Sequence, residues 1–154
     1  MEIERKFRLL ELPWVAVDGG EEILQGYLVT EHGELRLRRR GSDCFITVKG
    51  DGTISREEWE KEIPEWVFTQ LWPSTSGRSL EKTRYTIYHN GAKVEVDVYR
   101  SALQGLLTFE CEFESEEEAN KFQFPDWAHG AVEVTEDMAY KNKNLAIKGL
   151  PKGA

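Results

Sequence analysis

The sequence predicts a mainly antiparallel β domain, and three observations carry that expectation. Short segments that alternate apolar and charged residues recur along the chain. Turn signals separate several of them, at His32-Gly33, Gly41-Ser42, Asp51-Gly52 and Asn90-Gly91. Wherever a register can be drawn, the charged residues gather on one face and the apolar ones on the other. Only two or three helical segments interrupt this pattern.

The first strand is Met1-Glu2-Ile3-Glu4-Arg5-Lys6-Phe7, with Glu2, Glu4 and Lys6 on one face and Ile3, Arg5 and Phe7 on the other. Two carboxylates on one strand face can hold a divalent cation between them while the ammonium holds an anion. Leu10 to Glu22, with Pro13 and Gly19-Gly20, reads as a loop, and Ile23 to Thr30 as the next strand. A two-residue turn at His32-Gly33 would set Tyr27 opposite Arg38 and Val29 opposite Arg36. In the following hairpin, a turn at Gly41-Ser42 sets Arg36 opposite Thr47 and Glu34 opposite Lys49. Leu35 and Leu37 then share the reverse face with Cys44, Ile46 and Val48. A turn at Asp51-Gly52 carries Arg56, Glu58 and Glu60 onto the Lys49 face.

Pro64 to Trp72 is expected to be a helix, opened by a proline near its start and stopped by Pro73, with loop as far as Gly77. Asn90-Gly91 then folds the clearest hairpin, Leu80 to Tyr99, whose register places Arg84 opposite Asp97, Thr86 opposite Glu95 and Lys82 opposite Tyr99. Leu106 to Phe113 is a strand that alternates Glu110 and Glu112 with Phe109, Cys111 and Phe113. Ser115 to Glu118 has the form of a capping box, and Thr135 is expected to cap a helical segment, Glu136 to Lys148, ended by Gly149 and Pro151.

At 154 residues the chain fits a single domain spanning 1–154, without an internal repeat or linker. A net charge of -8 argues against a general nucleic-acid partner, although clustered bases can still form a local anion site. No apolar run approaches the roughly 20 residues of a membrane helix, and Glu2 directly after Met1 fits no export signal, so a cytoplasmic protein with no membrane partner is expected. Cys44 and Cys111 lack metal or redox spacing and read as buried thiols.

Eight antiparallel strands can close into a barrel. On the residues alone two architectures remain: an open sheet baring its charged face, or a closed barrel whose charges line a wet lumen and whose apolar exterior is covered by helices and a partner subunit.

The ordered motifs decide between them by resemblance. Glu2-x-Glu4-x-Lys6, Arg36-x-Arg38, Lys49, Arg56-x-Glu58-x-Glu60, Lys82-x-Arg84, Glu95-x-Asp97 and Glu110-x-Glu112, with Tyr140 to Ala146 near the C-terminus, resemble the triphosphate tunnel metalloenzymes of the CYTH superfamily. Gln25 to Leu28, Gly77-Arg78, Glu81 to Tyr85 and Val134 to Asp137 bring the chain nearest to the short bacterial inorganic triphosphatases of that group. The resemblance implies an eight-stranded antiparallel closed β-barrel, or tunnel, with a charged lumen, flanking helices and a closing C-terminal helix at one mouth. It further implies metal-dependent hydrolysis of inorganic tripolyphosphate to pyrophosphate and phosphate, with adenylate cyclase and thiamine triphosphatase as the alternatives within the family. A polyphosphate-binding module without turnover is the non-enzymatic alternative.

Tripolyphosphate carries about four to five negative charges near neutral pH, which calls for several Lys and Arg donors. Lys6, Arg36, Arg38, Arg56, Lys82 and Arg84 are the candidates. Glu2, Glu4, Glu110 and Glu112 are expected to take Mg2+ or Mn2+ through hard carboxylate oxygens, with Glu58, Glu60, Glu95 and Asp97 as supporting lumen carboxylates. The hairpin register gives Asp97 the further task of positioning Arg84. By resemblance to related triphosphatases, Lys49 with Tyr27 is the candidate pair for activating the attacking water. The apolar exterior makes a homodimer the expected assembly.

Overall fold

A computed structural model describes residues 3–16, 18–51 and 57–154. These described residues form nine antiparallel strands: β1 (Ile3–Arg8), β2 (Glu21–Leu28), β3 (Glu34–Arg40), β4 (Asp43–Lys49), β5 (Glu58–Ile63), β6 (Ser79–His89), β7 (Ala92–Tyr99), β8 (Leu107–Phe113) and β9 (Val132–Glu133). Their order in the single sheet is β5-β4-β3-β2-β6-β7-β8-β1-β9. The eight expected strands are all present. The ninth has two residues, pairs with Phe7 and Arg8, and is too short to show as an alternation in the sequence.

Two hairpin registers match the expectation from turn chemistry. Asn90 and Gly91 both have positive φ, 49° and 78°, which is the demand of a tight hairpin turn matched to strand twist. Arg84 therefore faces Asp97, and Lys82 faces Tyr99. The Gly41-Ser42 turn sets Arg36 opposite Thr47. The His32-Gly33 register is shifted by two: Tyr27 faces Arg36, and Arg38 faces Gln25. The connection is a five-residue loop rather than a two-residue turn, because the Thr30 hydroxyl donates to the Gly33 carbonyl and the Gly33 N–H is taken by Asp51. A shift of two preserves side-chain parity, so the same residues still share the charged face.

The outward face carries the core. Phe7, Val94, Val96, Phe109, Cys111 and Phe113 pack beneath α2 (Glu116–Lys121) and the chain that follows it, with the Phe7 and Phe109 rings stacked at 4.8 Å. Full burial of a ring such as Phe109 is worth about 2–3 kcal/mol. On the opposite side Leu37 and Cys44 pack against Phe68 of α1 (Glu65–Leu71). Trp72 to Thr75 continues α1 as a 3-10 turn instead of loop, with Pro73 accommodated in its first turn. Ser115 caps α2 as expected, while Glu118 reaches back to the Glu114 N–H.

The C-terminal segment is not one helix capped by Thr135. The Thr135 hydroxyl accepts from the Lys6 N–H of β1 instead, and Asp137 caps a separate 3-10 turn, Met138–Tyr140, before α3 (Asn142–Lys148). Leu80 and Tyr99, on the charged-face parity of β6 and β7, meet Tyr140 and Leu145 there in an apolar cluster with Leu103, Leu106 and Val134. This cluster closes one end of the charged face. Cys44 and Cys111 are buried free thiols, and no helix among the described residues is long and apolar enough to cross a membrane.

Candidate active site

The charged face is concave. β4 and β1 are six neighbours apart in the strand order, about 29 Å in a flat sheet at about 4.8 Å per step, far beyond a screening length of about 8–10 Å. Yet the Lys49 ammonium of β4 lowers the pKa of Glu4 on β1, so the sheet rolls until the two strands face one another across a tunnel. The hydrogen-bond ladder itself does not close among the described residues, where it runs from β5 to β9. β9 occupies the edge of β1 at Phe7 and Arg8 that a closing strand would need.

One wall is acidic. Across β1 and β8, Glu4 stands opposite Glu112 and Lys6 opposite Glu110, and Glu110 also faces Glu95 of β7. Like charges directly opposite one another oppose folding unless a cation lies between them. The Glu4 carboxyl shows the strain: surrounding protein, then Glu110, Glu112 and Glu95, push its pKa above the usual carboxylate range, with Lys49 pulling it back. Among the described residues no three acidic, His or Cys side chains form a ready-made metal cage. Mg2+ and Mn2+ do not require one, since such ions are held by one or two carboxylates together with waters and phosphate oxygens. Glu4 and Glu112, with Glu110 beside them, fit that donor set.

The facing wall is basic. Arg36 is buried, its terminal nitrogen reaches the Thr47 hydroxyl at 3.4 Å, and its Nε has no hydrogen-bond partner. The Thr47 hydroxyl in turn donates to Glu60 at 3.3 Å. Arg38 donates through Nε to Gln25 at 2.9 Å; burial, then Arg36 and Arg84, lowers its pKa to about 10. A guanidinium that is buried beside two like charges, next to one with an unsatisfied N–H, is an arrangement that an anion completes.

Below these, Asp97 accepts both Arg84 Nε at 2.8 Å and a second Arg84 nitrogen at 2.9 Å, and also Lys82 Nζ at 2.8 Å. Glu95 takes the remaining Arg84 nitrogen at 3.1 Å. The two cations hold the Asp97 carboxyl well below the usual range against its burial, while burial lowers Lys82 to about 8 against the pull of Asp97. Lys82 is fully buried, with its ammonium 5.4 Å from the centre of the Tyr99 ring. It thus sits behind Asp97, whereas Arg36, Arg38 and Arg84 are gathered toward one another.

Tyr27 and Lys49 share the charged face but not one level. Tyr27 is in line with Arg36 and Thr47, and Lys49 with Glu34 and Glu58. The Tyr27 hydroxyl accepts from Gln25 at 2.7 Å, and burial raises its pKa, so it is a neutral hydroxyl at pH 7. Glu58 and Glu60 on β5 remain exposed. Glu2 and Arg56 lie outside the described residues.

Gln25 and Thr47 belong to this site and do not figure among the charged candidates. Gln25 is fully buried and joins Tyr27 to Arg38 in one chain of hydrogen bonds. Its signal was its parity with Tyr27, on the face opposite Leu24 and Leu28. Lys93, opposite Glu112 and 4.0 Å from Glu95, also enters the acidic wall.

The chain matches the CYTH domain over residues 1–150. It is 44% identical over 152 residues, 95% of this chain and 97% of the other, to an inorganic triphosphatase of Nitrosomonas europaea. A solved structure of an inorganic triphosphatase superposes with a TM-score of 0.76 at 41% identity, covering 98% of this chain and 97% of that one. A Hippeastrum protein, described as a candidate adenylyl cyclase with dominant triphosphatase activity, shares the fold alone, at 18% identity, a TM-score of 0.59 and coverage of 78% and 83%.

Proposed function

The chain belongs to the CYTH family, and from that premise we propose that it hydrolyses inorganic tripolyphosphate to pyrophosphate and phosphate inside the charged tunnel, with Mg2+ or Mn2+ as cofactor. One observation supports this above the others: buried Arg36, with its partnerless Nε, and the mutually repelled Arg38 face a wall where Glu4 and Glu112 are directly opposed. A neutral molecule would relieve neither wall. A metal-bound polyphosphate relieves both.

In this reading Arg36, Arg38 and Arg84 grip phosphate oxygens, with Arg84 aimed by Asp97 and Glu95. Lys6, Arg56 and Lys82 complete the cationic set, and Glu58 and Glu60 balance its charge at the rim. Glu4, Glu110 and Glu112, with Glu2, would hold the divalent cation. When bound, that ion supplies charge neutralisation at the phosphoryl oxygens. The water oxygen forms the new bond to a terminal phosphorus, its proton passes to Lys49 in molecules where that amine has first given up its own proton, and the bridging P–O bond breaks with its electron pair leaving on pyrophosphate. Tyr27, protonated at neutral pH, orients the water from the Arg36 level.

A base at Lys49 makes activity rise toward alkaline pH. Lys49→Ala and Tyr27→Phe are each expected to lower kcat by about a hundredfold and to flatten that rise, as loss of a general base does. Raised KM with an unchanged pH profile would instead make Lys49 a phosphate ligand.

The substrate reading is checked by giving the purified protein tripolyphosphate, thiamine triphosphate and ATP with each metal. Tripolyphosphate is expected to be the substrate with by far the highest kcat/KM, because the two charged walls match a metal-bound polyphosphate in full. Abundant cyclic AMP from ATP would reverse it in favour of a cyclase.

Exposed Val48 and Trp59, directly opposite one another on the outer face of β4 and β5, with Trp66 also exposed, support a homodimer. Two buried, unbridged thiols suit the reducing cytoplasm.

A further inference from the structure

Lys6 is bonded to the C-terminal segment through every polar group it has. Its backbone N–H donates to Thr135 Oγ1 at 2.9 Å, and its carbonyl accepts from the Val134 N–H at 2.8 Å. Its ammonium donates to the backbone carbonyl of Tyr140, and lies 3.5 Å from Glu110. Tyr140 is buried in the apolar cluster that closes one end of the tunnel, and the next seven residues after Lys141 are α3. A second bond fastens the start of α3: the Tyr99 hydroxyl donates to Asn142 Oδ1 at 2.7 Å.

We propose that Lys6 is the latch of the tunnel's closed end: its ammonium fixes the Tyr140 carbonyl, holding the 134–148 segment as the floor against which the substrate is placed. This goes beyond the phosphate-binding role assigned to Lys6 above and makes it a positioning residue. Only a charged donor at this site satisfies both the carbonyl of a buried turn and the facing Glu110 carboxylate, which would otherwise stand beside Glu95 without a cation on that side. α3 has seven residues and is marginal as a helix by itself, so its order depends on what pins it. The step to catalysis rests on the triphosphatase reading. A floor that gives way lets the polyphosphate slide relative to Glu4 and Glu112, which costs turnover more than binding.

The test begins on the protein without substrate, so it does not depend on that reading. In Lys6→Met, which keeps the stem and removes the charge, hydrogen exchange at the amides of Tyr140, Lys141, Leu145 and Gly149 is expected to speed up at least about tenfold, while Val94 and Val96 in the β6–β7 region keep their protection. Lys6→Arg, which keeps a donor for the carbonyl, is expected to restore most of it. Thr135→Val, which leaves the ammonium in place, should loosen the segment less. With tripolyphosphate, Lys6→Met should lower kcat about tenfold or more, beyond any change in KM from loss of the ammonium, and Lys6→Arg should recover most of that kcat. Unchanged exchange in Lys6→Met would overturn the latch and leave Lys6 a substrate ligand alone. Faster exchange spread equally over Val94 and Val96 would also overturn it, since that is general destabilisation. No turnover in the wild-type protein, with the exchange pattern as expected, would sink the triphosphatase reading and leave the latch standing.

Discussion

Glu4→Gln and Glu112→Gln will each reduce hydrolysis of tripolyphosphate by about a thousandfold, a loss of about 4 kcal/mol in transition-state stabilisation. The amide keeps the shape of the side chain and removes the negative charge that a hard divalent cation requires. Folding is expected to improve slightly, since the two carboxylates are opposed across β1 and β8 and Glu4 is crowded further by Glu110 and Glu95. The same crowding sets a pH dependence. With its pKa raised, Glu4 retains a proton into more weakly acidic solution than an ordinary glutamate, and that proton competes with the metal. Lowering the pH should therefore raise the metal concentration needed for half-maximal rate, and this shift should vanish in Glu4→Gln. Steady-state rates over a matrix of pH and Mg2+ concentration provide the check. A Glu4→Gln enzyme that works near the wild-type rate with unchanged metal dependence would remove Glu4 from the cation site.

Asp97→Ala has the second large effect, on stability as much as on rate. Asp97 is almost wholly buried and binds two cations, so its removal leaves the Lys82 ammonium and the Arg84 guanidinium without their shared counter-charge. Breaking one partner out of a buried ionic group costs about 3–5 kcal/mol. Denaturant midpoints would show it directly. The sign of the pH effect follows from the depressed pKa of Asp97 in the folded protein. Its stabilisation is fully present above the unfolded carboxylate pKa of about 3.9. It is lost as pH falls below that value toward the folded pKa, because the unfolded chain takes up the proton first. Wild-type stability should thus fall on acidification below about pH 4 more steeply than that of Asp97→Asn. Parallel acid curves for the two proteins would mean that another carboxylate dominates.

The parity of side chains was legible in the sequence wherever charge and apolar residues alternate, because a strand has a period of two and a register slip of two leaves every residue on its own face. The β2–β3 hairpin shows this: its register is displaced from the two-residue turn that His32-Gly33 suggested, yet Tyr27, Arg36 and Arg38 still line the tunnel. Asn90-Gly91 fixed its register outright, since both residues adopt the positive φ that the tight turn needs. What the sequence withheld depends on partners distant along the chain. Thr135 has the form of a helix cap, but its hydroxyl is taken by Lys6, 129 residues away, and the expected helix breaks into a 3-10 turn and α3. The pairing of β9 with β1 is equally non-local.

At the site, residue types announced the two walls but not their layering. Lys82 and Arg84 look equivalent as K-x-R, and both point to the same face. Only the structure separates them, with Lys82 sealed behind Asp97 and against Tyr99 and Arg84 turned toward Glu95. Gln25, neutral and unremarkable in composition, turns out to tie Tyr27 to Arg38.

The most direct measurement is a phosphorus NMR time course of tripolyphosphate with the purified protein and Mg2+, followed by addition of a chelator. Pyrophosphate and phosphate should appear in equal amounts as tripolyphosphate disappears, and turnover should stop when the metal is removed. Tripolyphosphate that is bound but persists unchanged in the presence of Mg2+ and Mn2+, or that is cleaved at the same rate after chelation, would contradict a metal-dependent triphosphatase.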